Sequence, residues 1–225
     1  MIECQNCGSQ GDQKFCPNCG QVLEHKRINL PHLVHEVTHT FWHLEKGFLF
    51  TLKELAVSPG IMQKKYLSGL RLHYQKPFPL FAISGTIGAL CLYLIYKNAA
   101  NTDQFFYKHY YFLVQATMLP LYALVTYLLF KSPQLYYAEA LVLNVYMVGF
   151  MSIMIIPINV LSFILPNGVI SLIEVIFLLS YNIWTYLNFF SNKAGWWVIV
   201  KSIASIIVCY MLFNYASRLV MEWFM

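Results

Sequence analysis

Long uninterrupted hydrophobic runs fill the last two thirds of the chain and alternate with short polar segments. Each run reaches the roughly 20 residues that an α-helix needs to cross the hydrocarbon core of a bilayer. The hydrophobic residues are continuous rather than alternating, which predicts helices and not the strands of a barrel. The sequence therefore predicts an all-α polytopic membrane protein with five transmembrane helices, at residues 77–96, 110–130, 140–165, 169–190 and 195–221.

Three proline positions modify these spans. Pro120 and Pro157 lie inside the second and third runs, where a proline typically kinks a helix. The sequence Pro166-Asn167-Gly168 predicts the end of the third span and the turn before the fourth. We treat residues 77–225 as one five-span bundle.

The polar N-terminus carries two CxxC pairs, formed by Cys4 and Cys7 and by Cys16 and Cys19. Four thiolates at this spacing satisfy the tetrahedral coordination of Zn²⁺, and a site closed in this way is structural rather than catalytic. Two redox-active pairs without metal are the alternative, which so short a loop between the pairs disfavours. We predict a small zinc ribbon over residues 1–22 that holds one structural Zn²⁺.

Residues 30–57 have hydrophobic positions at spacings of three and four, which indicate an amphipathic helix. The opposite face carries His32, His35, His39 and His43. The simplest interpretation is the solvated side of a helix lying on the membrane. Weak metal binding or a pH-sensitive charge on this face is the functional alternative.

A basic stretch follows before the first span and completes a juxtamembrane region over residues 30–76. Nine of the fifteen Lys and Arg residues precede residue 77, which favours contact with an anionic membrane surface rather than nucleic acid. Each cation near the surface contributes about 1 kcal/mol to that attraction. The predicted contacts with lipid head groups are Lys64, Lys65, Arg71 and Lys76.

Composition supports the same class. The chain is 58% hydrophobic and only 11% charged, whereas soluble domains have about 45–50% apolar and about 25% charged residues. Basic residues in short loops place the N-terminus in the cytosol and, with five spans, the C-terminus outside. Thiolates that hold metal also favour a reducing compartment. We expect a multi-pass membrane protein.

His35, Glu36 and His39 form an H-E-x-x-H motif, the pattern with which zinc proteases bind metal and activate water. His43 and His32 extend the row along the same helix, so a straight row cannot close around one ion. The chain before residue 77 is also too short for a substrate cleft. We interpret the match as fortuitous and predict no catalytic and no cofactor-binding residues.

Glu174 lies inside the fourth span, where an ionisable group is costly and marks a functional or pairing site. Its face of the helix also carries Ser171, Tyr181, Thr185 and Asn188. Polar residues of spans three and five are expected to meet this face: Asn144, Asn159, Ser202, Ser205 and Asn214. Interhelical hydrogen bonding is the favoured interpretation, and a polar pathway is the alternative.

Two groups of residues carry a family resemblance. The first is Cys4-x2-Cys7 with Phe15-Cys16-Pro17-x-Cys19-Gly20-Gln21, followed by Arg27-Ile28; the second is Ser58-Pro59-Gly60 with Tyr66-Leu67-x-Gly69-x-Arg71-x-x-Tyr74-x-x-Pro77. With these motifs the chain resembles uncharacterised bacterial membrane proteins of the Bacteroidetes type that have an N-terminal zinc ribbon. The resemblance implies a location in the bacterial inner membrane, and it implies no activity. The layout is also similar in topology to Yip1-type membrane proteins.

These observations favour a non-enzymatic membrane component whose ribbon docks a protein partner or organises the membrane. A transporter, lipid-handling or channel subunit that uses the bundle and Glu174 is the first alternative. A membrane-associated zinc metalloenzyme that uses His35, Glu36 and His39 is the second. A homo-oligomer is compatible with each of these three functions.

Overall fold

The computed structural model describes residues 2–4, 6–23, 47–97, 109–131, 135–190 and 195–224. The histidine row and Glu36 lie outside these residues. In the N-terminal segment, β1 (Ile2–Glu3) pairs antiparallel with β2 (Gln10–Gly11). A single bridge between Phe15 and Val22 completes this small module.

The rest of the described chain is helical, and it begins with two short helices before the hydrophobic runs. Gly47 precedes the first of them with φ 130°. The helices are α1 (Phe48–Val57), α2 (Pro59–Leu67), α3 (Pro77–Ile95), α4 (Tyr111–Leu129), α5 (Tyr137–Val160), α6 (Asn167–Phe189) and α7 (Gly195–Phe224).

Five of these helices, α3 to α7, are long and apolar enough to span a membrane, which confirms the predicted fold class. Several span boundaries differ from the prediction by one to three residues, and the largest difference follows the third span. The helix α5 ends at Val160 and a 3-10 turn at Leu161–Phe163 follows, while Asn167 already begins α6. Pro166, with φ −67° and ψ 147°, caps α6 because its ring fixes φ and its missing N–H is not needed there. Pro120 and Pro157 lie within α4 and α5.

The helix α5 is the centre of the bundle. In its most hydrophobic window 56% of residues are buried, more than in any other of the five spans. It packs against α3, α4 and α6. Tyr146, fully buried near its middle, donates from its hydroxyl to the main-chain oxygen of Gln75 at 2.7 Å.

The short helices α1 and α2 pack on this bundle instead of lying apart from it. Tyr66 of α2 meets the ring of Tyr146 edge to face at 5.3 Å. Gly60 approaches α6 so closely that a Cβ there would lie 2.1 Å from the main-chain oxygen of Thr185. Leu55 of α1 is fully buried in the same core. The described part of the predicted surface helix, α1, therefore packs on the bundle along one face.

Candidate metal centre and intramembrane cavity

Two tight turns of the same design position the four cysteines. In the first, the Cys4 N–H donates to the oxygen of Ser9 at 2.9 Å, and the Gly8 N–H donates to the oxygen of Cys4 at 2.8 Å. Gly8 has φ 73°, in the left-handed region that glycine adopts without a steric penalty. A glycine directly after the second cysteine of the pair is what this turn requires.

The second turn repeats the first one. The Cys16 N–H donates to the oxygen of Gln21 at 2.7 Å, and the Gly20 N–H donates to the oxygen of Cys16 at 2.9 Å. Gly20 has φ 75°. The repeated geometry brings the two pairs face to face.

All four sulfurs lie within 4.8 Å of one another. The sulfurs of Cys4 and Cys19 are 3.5 Å apart, and those of Cys7 and Cys16 are also 3.5 Å apart. A tetrahedron with Zn–S bonds of about 2.3 Å has sulfurs about 3.8 Å apart. The four cysteines that the sequence singled out are thus brought together at a spacing that fits a tetrahedral metal ion.

The surroundings of three of the four sulfurs shift the pKa values of their thiols in different directions. Hydrogen bonding with the Ser9 hydroxyl, 3.3 Å from the sulfur, lowers the pKa of Cys7 to about 6. A main-chain hydrogen bond from Gln21 lowers the pKa of Cys19. Desolvation raises the pKa of the buried Cys4 to about 11. The thiolate is the form that ligates metal, and the surroundings of Cys7 and Cys19 favour that form.

The cysteine module is attached to the helices through Gln21. Its Nε2 donates to the main-chain oxygen of Gly69 at 2.7 Å, and only 4% of the residue is exposed. Gly69 follows α2 with φ 114° and closes that helix in a Schellman motif, with the Gly69 N–H bonded to Tyr66 and the Leu70 N–H bonded to Lys65. The cap of α2 thus also provides the acceptor for the cysteine module.

The four basic residues predicted to contact lipid differ in their surroundings. Lys64 and Lys65 are exposed on α2. The Nε of Arg71 donates to the oxygen of Tyr66 at 3.2 Å, and its guanidinium lies 5.5 Å from the centre of that ring. Lys76 is half-buried where α3 begins. Lys64 and Lys65 are therefore the most exposed of these four cations, whereas Arg71 braces the end of α2.

A cavity of about 200 Å³ lies between α4, α5, α6 and α7. At one end Glu174 accepts a hydrogen bond from Nδ2 of Asn159 at 2.5 Å. The Oδ1 of Asn159 in turn accepts one from the hydroxyl of Tyr96, also at 2.5 Å. The polar residues that line the cavity are Tyr111, Gln115, Tyr122, Asn144, Ser171, Glu174, Asn182, Tyr186, Ser205 and Tyr210.

The predicted polar face of the fourth span divides between two surroundings. Ser171 and Glu174 line the cavity together with Asn144 and Ser205, as expected. Thr185 and Asn188 lie against Gly60 of α2 instead. The hydroxyl of Tyr181 donates to the main-chain oxygen of Leu55 in α1 at 3.3 Å. The expectation was wrong for this end of the face because α1 and α2 occupy the space beside it.

Two further polar residues, Asn214 and Ser202, form hydrogen bonds within their own helix. Asn214 is half-buried, and its Nδ2 donates to the oxygen of Tyr210. Ser202 is buried but likewise bonds within α7, to the oxygen of Val198. Sequence reasoning also missed the tyrosines of the cavity, because tyrosine in a hydrophobic run is indistinguishable from a packing residue.

The fold and the cysteine cluster define a class: a multi-pass helical membrane protein with an N-terminal four-cysteine cluster that can hold a metal ion. Residues 45–88 match a family described as Protein of unknown function (DUF3667). No curated protein and no solved structure gives a significant match. The matched segment contains α1, α2 and the first half of α3, and thus the second group of motif residues, but not the cysteines.

Proposed function

We propose that the protein is a non-enzymatic membrane component whose cysteine module holds one structural Zn²⁺ and docks a protein partner at the cytosolic face. The hydrogen bond from Gln21 to Gly69 carries this proposal, because it fixes the module against helices that pack on the membrane bundle. Four thiolates close the coordination sphere and leave no open position for a substrate. The zinc would stabilise the fold of the cysteine module and would have no catalytic role.

The module offers a surface that suits a protein partner. Ile2, Phe15 and Val22 are 41%, 52% and 39% exposed, although the whole module has few residues to form a core. Phe15 and Val22 are bridge partners and therefore neighbours. Lys14 lies 5.7 Å from the ring of Phe15 and adds a charge beside it. Apolar centres with a polar rim are typical of protein interfaces.

The membrane location and the orientation in this proposal rest on the positions of the basic residues. The short loops place Lys131 and Lys193 on the same side as Lys64 and Lys65 when the N-terminus is cytosolic. Anionic head groups would contact Lys64 and Lys65 and hold the end of α2 at the surface. We place the protein in the bacterial inner membrane with its C-terminus outside.

Affinity purification from crosslinked membranes tests the docking role. The double variant Cys16→Ser/Cys19→Ser removes half of the ligands, and Phe15→Ser alters the surface without touching the ligands. Both should lose the partner that the unaltered protein retains, while Cys91→Ser, in α3, should keep it. Recovery of the same partners with all three variants would contradict the proposal.

A second candidate function is transport or lipid handling through the five-helix bundle, and the cavity beside Glu174 favours it. An ionisable residue at a cavity within the bilayer is characteristic of substrate and ion pathways. Glu174→Gln should then change the flux of the substrate or the dependence of that flux on pH. An unchanged flux profile would remove this candidate.

A further inference from the structure

The cavity has an unusual combination of linings for a space within a membrane bundle. Among the described residues that line it, Glu174 is the only Asp or Glu, and there is no Lys, Arg or His. Aromatic rings form much of the remaining wall: Tyr111, Tyr122, Phe177, Tyr186, Tyr210 and Phe213. The electrostatic character of these groups is negative, since a carboxylate and the faces of aromatic rings both attract cations.

The arrangement around Glu174 holds the carboxylate in place. Its Oε1 accepts from Nδ2 of Asn159, and the same Nδ2 also donates to the main-chain oxygen of Ile155 at 2.9 Å. The other end of the Asn159 amide is bonded to Tyr96. These bonds give the carboxyl group of Glu174 a defined position at one end of the cavity.

The rest of the wall favours an alkylated cation over a metal ion. Met147, Met151 and Ile155 contribute apolar surface. Among the described residues, Glu174 does not belong to a group of three or more His, Cys, Asp or Glu side chains that could hold a metal ion. An alkylammonium group is weakly hydrated and binds through aromatic faces and dispersion. A cavity of about 200 Å³ is below the roughly 300–1,000 Å³ of sites for drug-sized ligands, so the ligand is small.

We propose that this cavity binds a small alkylammonium cation, with the charge beside Glu174 and the alkyl groups against the aromatic rings. The cation is either a free amine or the head group of a lipid that enters from the bilayer. The inference rests on the cavity of the second candidate function but not on transport. Binding without flux would sustain the inference and remove that candidate.

Isothermal titration with the full-length protein in phosphatidylglycerol nanodiscs tests the proposal. The probes are choline and its uncharged carbon analogue 3,3-dimethylbutan-1-ol. Choline should bind saturably and at least about tenfold more tightly than the analogue, a ratio equivalent to ~1.4 kcal/mol. Equal affinities for the two probes, or no saturable binding of choline, would overturn the proposal.

Matched variants locate the site. Glu174→Gln should raise the Kd for choline by about tenfold or more, whereas Glu222→Gln, exposed on α7, should not change it. Tyr210→Leu should raise the Kd by about threefold or more, and Tyr215→Leu, on the same helix but outside the cavity, should not. If Glu174→Gln fails to fold, the comparison of Tyr210→Leu with Tyr215→Leu tests the proposal. An unchanged Kd in Glu174→Gln or in Tyr210→Leu would overturn the proposal.

The lipid composition of the nanodiscs distinguishes the two sources of the cation. If a head group is the natural ligand, replacing part of the phosphatidylglycerol by phosphatidylcholine should weaken the apparent affinity for free choline by competition. If the natural ligand is a free amine, the lipid replacement should leave that affinity unchanged. Both results sustain an alkylammonium site and differ only in the origin of its ligand.

Discussion

The side-chain amide of Gln21 lies against the main-chain oxygen of Gly69, with 2.7 Å between the nitrogen and the oxygen. This hydrogen bond joins a module organised by four cysteines to the cap of a helix that packs on the membrane bundle. Because both partners are buried, losing the donor would leave the Gly69 oxygen without this bond, at a cost of about 1–3 kcal/mol. This hydrogen bond therefore helps to hold the cysteine module against the helices.

Replacing this side chain should release the module without emptying the metal site. In Gln21→Ala we expect unchanged zinc content and tryptic cleavage after Arg71 that is about fivefold faster or more, since Arg71 follows the docking point. Gln10→Ala, exposed on β2, is the matched control and should be cleaved at the original rate. Equal cleavage of both variants would show that the bond does not hold the module in place.

Gly60 is the point at which α2 comes closest to α6. A Cβ at this position would lie 2.1 Å from the oxygen of Thr185 and 2.5 Å from the nitrogen of Phe189. Gly60→Ala should force the helices apart and lower the free energy of unfolding by about 1–3 kcal/mol. Thermal unfolding in a fixed detergent measures the effect as a lower midpoint.

Gly168→Ala is the control for this change, because nothing lies within 4 Å of the added Cβ. In the first turn of α6 an alanine should be neutral or stabilise the helix by up to about 1 kcal/mol. If both alanine variants unfolded at the same temperature, the close packing of α2 on α6 would be refuted.

The spans and the cysteine turns were predictable from sequence because each depends on local information. A run of about 20 apolar residues is sufficient to define a membrane helix. A CxxC pair followed by glycine, as at Gly8, is sufficient to define a metal-binding turn. The boundary after Pro166 was less certain, since Asn and Gly are as compatible with a first helical turn as with a loop.

The docking of α1 and α2 was not predictable in the same way. Their hydrophobic faces are equally suitable for lipid and for a helix bundle, and only tertiary contacts distinguish the two. Gln63 would be assigned to a solvated face by its polarity, yet it is fully buried. The approach of Gly60 to Thr185 joins residues far apart in the chain. A glycine after Pro59 was the available signal, and it indicated only a helix break.

Asn159 connects Tyr96 to Glu174 and should stabilise this end of the bundle. Replacing it by alanine removes both hydrogen bonds and should cost about 0.6–2 kcal/mol, the range measured for bonds between membrane helices. Tyr96→Phe should add little in the Asn159→Ala background, because the two residues share one bond. Unfolding of the single and double variants in the same micelle measures this coupling.

Asn214→Ala is the control for Asn159→Ala, since Asn214 bonds only to the main chain of its own exposed turn among the interactions described. Its effect should be close to zero. Additive effects of the Asn159 and Tyr96 changes would contradict the network and leave Glu174 without this support.

The orientation of the spans predicts which loops face outwards. A cytosolic N-terminus places the turn between α5 and α6 outside and the end of α2 inside. In a background with Cys91→Ser and Cys209→Ser, a membrane-impermeant maleimide should label Phe163→Cys in intact cells, because Phe163 is 72% exposed. Ser68→Cys should be labelled only after the membrane is opened. The reverse pattern would invert the proposed topology.

Metal analysis of the purified full-length protein tests the central claim most directly. Mass spectrometry of the metals should find one zinc per chain in the unaltered protein and in Cys91→Ser, and none in Cys16→Ser/Cys19→Ser. The distances between the four sulfurs are the reason for this expectation. Folded protein that contains no zinc, or zinc that remains when Cys16 and Cys19 are replaced, would contradict a structural metal centre at these cysteines.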